Sequence, residues 1–179
     1  ADRKDALVAA AGFINKVPEI VKEYGNEFTV ATVGTIKVTP HSVNVIPGTC
    51  TFSLEIRDQS AEVMKLIENH LRRLLEDICK KYGVTSTFVP TSYHDPAPMS
   101  ELVRGTIEEA VKELGIDYTV IPSGAFHDSL IMTSVFPTGM IFVPSKDGIS
   151  HSRYEYTAPE DIENGCNVLL NTVLKLDEK

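Results

Sequence analysis

The run Thr49-Cys-Thr-Phe-Ser-Leu-Glu-Ile-Arg57 decides the fold. Cys50, Phe52, Leu54 and Ile56 alternate strictly with Thr51, Ser53, Glu55 and Arg57, and a period of two puts the sets on opposite faces of a strand. One face is apolar and buried; Arg57 lies on the exposed one. Upstream, Glu27 to His41 carries Phe28, Val30, Thr32, Val33, Ile36 and Val38, a β-branched series interrupted by Gly34, and reads as a second strand. The turn signal Val43-Asn-Val-Ile-Pro-Gly48 separates the two.

Helices flank this pair of strands. Residues 5–24 place Leu7, Val8, Phe13, Ile14, Val17, Ile20 and Val21 mostly three and four apart, as one helical face requires. Pro18 is expected to end or kink that helix near Val17, with Gly25-Asn26 as its stop. After the strands, Ser60 is a good N-cap for a helix reaching about Tyr82 with Gly83 at its stop, and its apolar stripe runs from Val63 to Ile78. Val84 to Pro90 reads as a short strand. Helix, strand, strand, helix, strand is a ferredoxin-like split β-α-β unit without its first strand, so the fold class is α/β (α+β). Tyr93-His-Asp-Pro-Ala-Pro98 has linker composition, which sets the expected domains at 1–95 and 96–179.

In the second half, Ser100 caps a helix to Leu114, Gly115 stops it, and Tyr118 to Ile121 is strand-like. Leu130 to Val143 reads as strand material broken by Pro137-Thr-Gly139. A final helix starts near Ala158, where Thr157-Ala-Pro-Glu160 has the form of a capping box with an early proline. Two turns sit between these elements, Pro122-Ser-Gly-Ala-Phe-His-Asp-Ser129 and Pro144-Ser-Lys-Asp-Gly-Ile-Ser-His-Ser152. Each sets a histidine in a Gly/Ser-rich turn beside an apolar run, a suitable mount for a catalytic or metal-binding imidazole. Both turns are expected at one sheet edge.

Composition bounds the function. Among 179 residues, 17 basic side chains face 25 acidic ones, for a net charge of −8, which opposes attraction to nucleic acid or anionic membranes. No apolar run approaches the roughly 18 residues of a membrane span. The reading is a cytoplasmic protein. Cys50, Cys79 and Cys166 have neither disulfide nor thiolate-metal spacing and read as buried free thiols.

Three runs together, Val43 to Asp58, Pro122 to Asp128 and Phe142-Val-Pro-Ser-Lys-Asp-Gly-Ile-Ser-His-Ser152, resemble the N-carbamoyl-L-amino acid hydrolase and allantoate amidohydrolase family of the dimetal aminoacylase and carboxypeptidase clan. The resemblance covers nearly the whole chain in the same order. It implies a fragment: most of an inserted lid or dimerisation domain, then the C-terminal part of a catalytic domain. Most metal ligands, the general-base glutamate and a lid histidine would lie in segments preceding this chain, so the chain alone is expected to be inactive.

The resemblance also assigns residues. His151 matches a ligand of a two-metal site holding zinc or manganese, and His127 a pocket histidine that hydrogen-bonds substrate, although Phe126 stands where the family usually has glycine. Asn44 and Arg57 match lid residues that hold the substrate's ureido and carboxylate groups in the partner subunit's active site, which implies a homodimer through the lid. Arginine can clamp a carboxylate through two parallel hydrogen bonds. Gly124 and Ala125 would offer backbone amides. His41, His70 and His94 are assigned structural or solvated places. The implied activity is hydrolysis of the C–N bond of N-carbamoyl amino acids or related ureido acids such as allantoate. Two alternatives stand beside it: a non-catalytic dimerisation or small-ligand-binding module, and an aminoacylase or peptidase of the same clan.

Overall fold

A computed structural model describes residues 3–178, and the chain divides into two compact units, Ala1–Pro96 and Ala97–Lys179. The first unit contains helix α1 (Ala6–Tyr24), strands β1 (Val30–Thr32), β2 (Ile36–Thr39), β3 (Thr49–Phe52) and β4 (Glu55–Arg57), and helix α2 (Ala61–Tyr82). β1 pairs antiparallel with β4 from Val30↔Arg57 to Thr32↔Glu55, and β2 with β3 from Ile36↔Phe52 to Thr39↔Thr49. The two ladders form one long hairpin. Val33 and Gly34 lie opposite Leu54 alone, because the Ser53 amide already donates to Thr35 O at 3.2 Å. That one-residue excess is a β-bulge, and it shifts the inward phase of the first strand from Ala31 and Val33 to Val38. The opposite strand keeps the alternation read from its sequence: Cys50, Phe52, Leu54 and Ile56 are partly buried, while Thr51, Ser53, Glu55 and Arg57 are exposed.

The core forms where α1 and α2 cross the inward face of this hairpin. Phe13, Val17, Ile67 and Leu71 are buried, with Phe52, Leu54 and Ile56 packed against them, and the Phe13 and Phe52 ring centroids lie 5.5 Å apart. Burying each large side chain contributes about 1.5–3 kcal/mol. This packing corrects the expectation that Pro18 ends α1: the helix continues to Tyr24 with Pro18 inside it. Proline removes one intrahelical hydrogen bond, but Pro18 is exposed, so water can serve the freed carbonyl. Val17 before it and Ile20 and Tyr24 after it are held by the same core. Gly25 ends α1 through close approach, since a Cβ there would lie 2.6 Å from Val21 O. α2 starts and stops as read, with the Ser60 hydroxyl accepting the Val63 amide and Gly83 left-handed at φ 63°.

Val84 to Pro90 carries no strand ladder. In a split β-α-β sheet the last strand pairs with the first, and no such strand occurs among the described residues. Phe88 is instead capped by the Arg72 guanidinium, 3.7 Å above its ring.

The second unit contains helices α3 (Glu101–Glu113), α4 (Asp128–Met132) and α5 (Pro159–Asp177), with a 3-10 turn at Lys146–Gly148. α3 packs on α5 through buried Thr106, Ala110, Val111, Val168 and Thr172. The two buried threonines donate back to Leu102 O and Val168 O, so neither hydroxyl is orphaned. Three expectations fail here. Tyr118 to Ile121 forms no ladder, nor does any part of Leu130 to Val143, whose first residues belong to α4. Thr133 and Ser134 donate to Leu130 O and Ile131 O at 2.7 Å, local bonds that favour helical turns over a strand. The capping box at the last helix is also absent: Pro159 takes the first helical position, which makes Ala158 the N-cap, with no side-chain cap. The thiols are free, but only Cys50 and Cys79 are partly buried; Cys166 is exposed on α5. Burial pushes the Cys50 thiol pKa up, which keeps it protonated and unreactive.

Asp5 ties the start of α1. Its carboxylate accepts the Val8 amide at 3.1 Å and pairs with Arg3 at 2.5 Å, and these bonds hold its pKa below the ordinary value. The stabilisation is present above the unfolded value of about pH 4 and is lost as pH falls through the lowered native value. Asp5→Asn keeps the cap without the titrating charge, so thermal unfolding from pH 7 to pH 3 should show a smaller acid-induced drop in Tm than the parent; an equal drop would refute this linkage.

Candidate functional site

The two units carry different candidate residues. In the first, Asn44 sits in the loop joining β2 to β3, and its Oδ1 accepts the Ser42 hydroxyl at 2.8 Å. Arg57 closes β4 at the other end of the hairpin, with its guanidinium 2.9 Å from Glu55 on the same exposed face. Directly after Arg57, Asp58 joins three elements. It accepts the Thr29 hydroxyl, the Asn26 amide nitrogen at 3.3 Å and the Ser60 amide at 2.8 Å. Asn26 follows α1, Thr29 precedes β1 and Ser60 caps α2, so the backbone bearing Arg57 is fixed on both sides. Its side chain is exposed.

In the second unit, the turn 122–129 brings Gly124, Ala125 and His127 together, and all three are exposed. The Ser123 hydroxyl donates to Ala125 O at 3.1 Å and shapes the turn. His127 is the N-cap of α4: the Ser129 amide donates to its Nδ1 at 3.0 Å, and the Ser129 hydroxyl lies 2.9 Å from the same nitrogen. Phe126 is half exposed beside it.

The loop bearing His151 is closed at its base by the Lys146 amide donating to Tyr156 O at 2.8 Å. Inside it, Asp147, Gly148 and His151 are all left-handed, at φ 57°, 66° and 54°. A non-glycine residue there costs roughly 1–2 kcal/mol. Glu155 offsets this at His151, accepting its backbone amide at 2.8 Å. No hydrogen bond engages the His151 ring among the described residues, and the shallow cleft of this loop is lined by Lys146, Asp147, Ile149, Tyr154 and Tyr156 rather than by His151.

The second unit has no ladder among the described residues, so the expected common sheet edge does not form. No group of three or more His, Cys, Asp or Glu side chains converges on a metal-sized site among them either. The remaining histidines are elsewhere. His70 stacks on Tyr24 with centroids 3.6 Å apart, a packing role, while His41 and His94 are exposed. Sequence reasoning passed over Ser129 and Glu155. The His-x-Ser spacing was a readable signal, because a side chain commonly caps the amide two residues ahead.

The α+β architecture is shared with proteins of known family. The chain belongs to peptidase family M20/M25/M40, whose model matches residues 8–175. It is 38% identical over 174 residues to an N-carbamoyl-L-amino acid amidohydrolase of Geobacillus stearothermophilus, and 33% identical over 174 residues to an allantoate amidohydrolase of Bacillus subtilis. Each match covers 97% of this chain and 42% of the relative, so the chain spans well under half the length of these proteins. The crystal structure of AtUAH in complex with (S)-hydroxyglycine superposes with a TM-score of 0.92 at 35% identity, over 99% of this chain and 42% of that one. A dinuclear metal-binding peptidase of Bacillus subtilis, YXEP, shares the fold at a TM-score of 0.68 and 17% identity. No helix among the described residues is long and apolar enough to cross a membrane.

The Glu155 contact gives a direct test. In Glu155→Ala the His151 amide should exchange with solvent several-fold faster by NMR hydrogen exchange, whereas Glu155→Gln, which still presents an oxygen, should stay near the parent. Equal exchange in all three would show that the carboxylate does not hold the loop.

Proposed function

We propose that this chain is the lid and C-terminal catalytic portion of a metal-dependent amidohydrolase that cleaves the C–N bond of N-carbamoyl amino acids or related ureido acids. One observation carries the reading. The match to carbamoylase and allantoate relatives runs through 97% of the chain, and Asn44, Arg57, Gly124, Ala125, His127 and His151 are all solvent-facing rather than packed away. Polar side chains and backbone amides on exposed loops are within reach of a ligand, which packed ones are not.

The chemistry of His151 fits one metal ligand. An imidazole with both ring nitrogens outside the described hydrogen bonds, on a loop braced by Glu155, can offer a lone pair to Zn²⁺ or Mn²⁺. The other ligands of a two-metal centre would come from outside the described residues. When bound, such ions supply Lewis-acid polarisation of the scissile carbonyl and a more acidic water.

The other side chains bind and orient. Arg57 takes the substrate carboxylate through its planar fork, with Glu55 as the resting partner that the substrate replaces. Asn44 offers both a donor and an acceptor to a ureido group. Gly124 and Ala125 present backbone amides, and His127 donates a hydrogen bond to a substrate oxygen. Hydrolysis adds water across the carbonyl, breaks its bond to nitrogen and returns a proton to the departing nitrogen. The first unit serves as the dimerisation surface, so that Asn44 and Arg57 of one subunit reach the site of the other.

The full-length protein supplied with Mn²⁺ or Zn²⁺ should release ammonia from N-carbamoyl amino acids or allantoate and leave N-acetyl amino acids and dipeptides largely intact. Arg57→Lys should raise KM about 10- to 100-fold, the loss of one charge-assisted hydrogen bond at about 1.5–3 kcal/mol. A preference for dipeptides or N-acetyl substrates would move the protein to the peptidase or aminoacylase reading.

A further inference from the structure

The contacts of the His127 ring fix more than its position. A backbone N–H is an obligatory donor, and the Ser129 amide places its hydrogen on Nδ1 at 3.0 Å. That nitrogen must therefore present a lone pair, so the proton of the neutral ring sits on Nε2. The Ser129 hydroxyl, 2.9 Å from Nδ1, donates to the same lone pair in this tautomer. Nε2 lies on the opposite side of the ring, engages no described hydrogen bond, and belongs to an exposed residue.

We propose that Ser129 is a positioning residue that fixes His127 as the Nε2–H tautomer, so that this imidazole meets its ligand as a hydrogen-bond donor to an oxygen acceptor. An Nε2 carrying its proton has no lone pair for a cation, which separates the roles of the two turn histidines: His151 offers a lone pair, and His127 offers a hydrogen. The ligand group facing His127 is then a carbonyl or carboxylate oxygen, not an N–H or a metal. The tautomer follows from the turn itself; that the oxygen belongs to a ureido acid rests on the amidohydrolase reading.

The two layers can be tested separately. In the 179-residue chain labelled with ¹⁵N-histidine at about pH 8, above the ordinary imidazole range, two-bond ¹H–¹⁵N spectra should show His127 as Nε2–H alone. Its Nδ1 resonance should be shifted by hydrogen bonding relative to exposed His41. In Ser129→Ala, which keeps the amide, the tautomer should persist with a smaller Nδ1 shift, and Ser129→Thr should restore the shift. Added Zn²⁺ should broaden His151 before His127. An Nδ1–H signal at His127, an Nδ1 shift matching His41, or zinc broadening of His127 as early as His151 would each overturn the proposal.

In the full-length protein, His127→Phe, which removes the donor, should lower kcat/KM for the ureido substrate at least tenfold, with His127→Asn, which keeps an N–H donor, recovering part of it and the metal content unchanged. An unchanged kcat/KM in His127→Phe would overturn the donor role. Failure of the amidohydrolase reading would look different: an inactive full-length protein whose chain still shows the Nε2–H pattern.

Discussion

The first unit depends on one packing constraint, the crossing of α1 and α2 over the inward face of a bulged hairpin. Phe13, Val17, Ile67 and Leu71 are at most 2% exposed, and the face they cover is the Phe52-Leu54-Ile56 side of an alternating strand. Because side chains alternate with a period of two, burying that face forces Ser53, Glu55 and Arg57 outward. A register slip of one residue would turn Arg57 into the core, where an unpaired charge is prohibitively costly. The bulge at Val33-Gly34 absorbs one extra residue on the other strand and so keeps both strands in phase with the core. Arg57 therefore reaches solvent as a consequence of core packing.

The second unit obeys a different constraint, the closure of short loops by side-chain-to-backbone bonds. Ser123, Ser129 and Ser145 each bond within their own turn, and Glu155 holds the amide of a left-handed histidine. Such bonds fix an imbedded imbalance between the two imidazoles: one ring is tied through Nδ1, while the other is held only through its backbone. A strained non-glycine residue persists only where its surroundings over-determine it, and His151 satisfies that condition without using its ring.

Much of this was legible in the sequence. The alternation of residues 49–57, the Ser60 cap and the Gly83 stop were readable because they depend on local periodicity and local hydrogen bonds. Strands at Val84–Pro90, Tyr118–Ile121 and Leu130–Val143 were not, because a ladder needs a partner that sequence propensity cannot supply. Pro18 was misread for the reverse reason: tertiary packing on both sides of it outweighed the lost bond. Among candidate site residues, the histidines, Arg57 and Asn44 were marked by motif resemblance; Ser129 left only the local His-x-Ser spacing, and Glu155 is revealed by the fold alone. α5 also exposes Ile162, Leu169, Leu170, Val173 and Leu174.

The central claim is that the His151 ring, presented on a strained and braced loop, gives its lone pair to a divalent ion. The most direct measurement is the metal content of the full-length protein after dialysis, by elemental analysis, for the parent, His151→Ala and His41→Ala. The account predicts close to two ions per subunit in the parent and in His41→Ala, and a loss of at least one ion in His151→Ala with the fold retained by circular dichroism. Undiminished metal in a folded His151→Ala protein would contradict it.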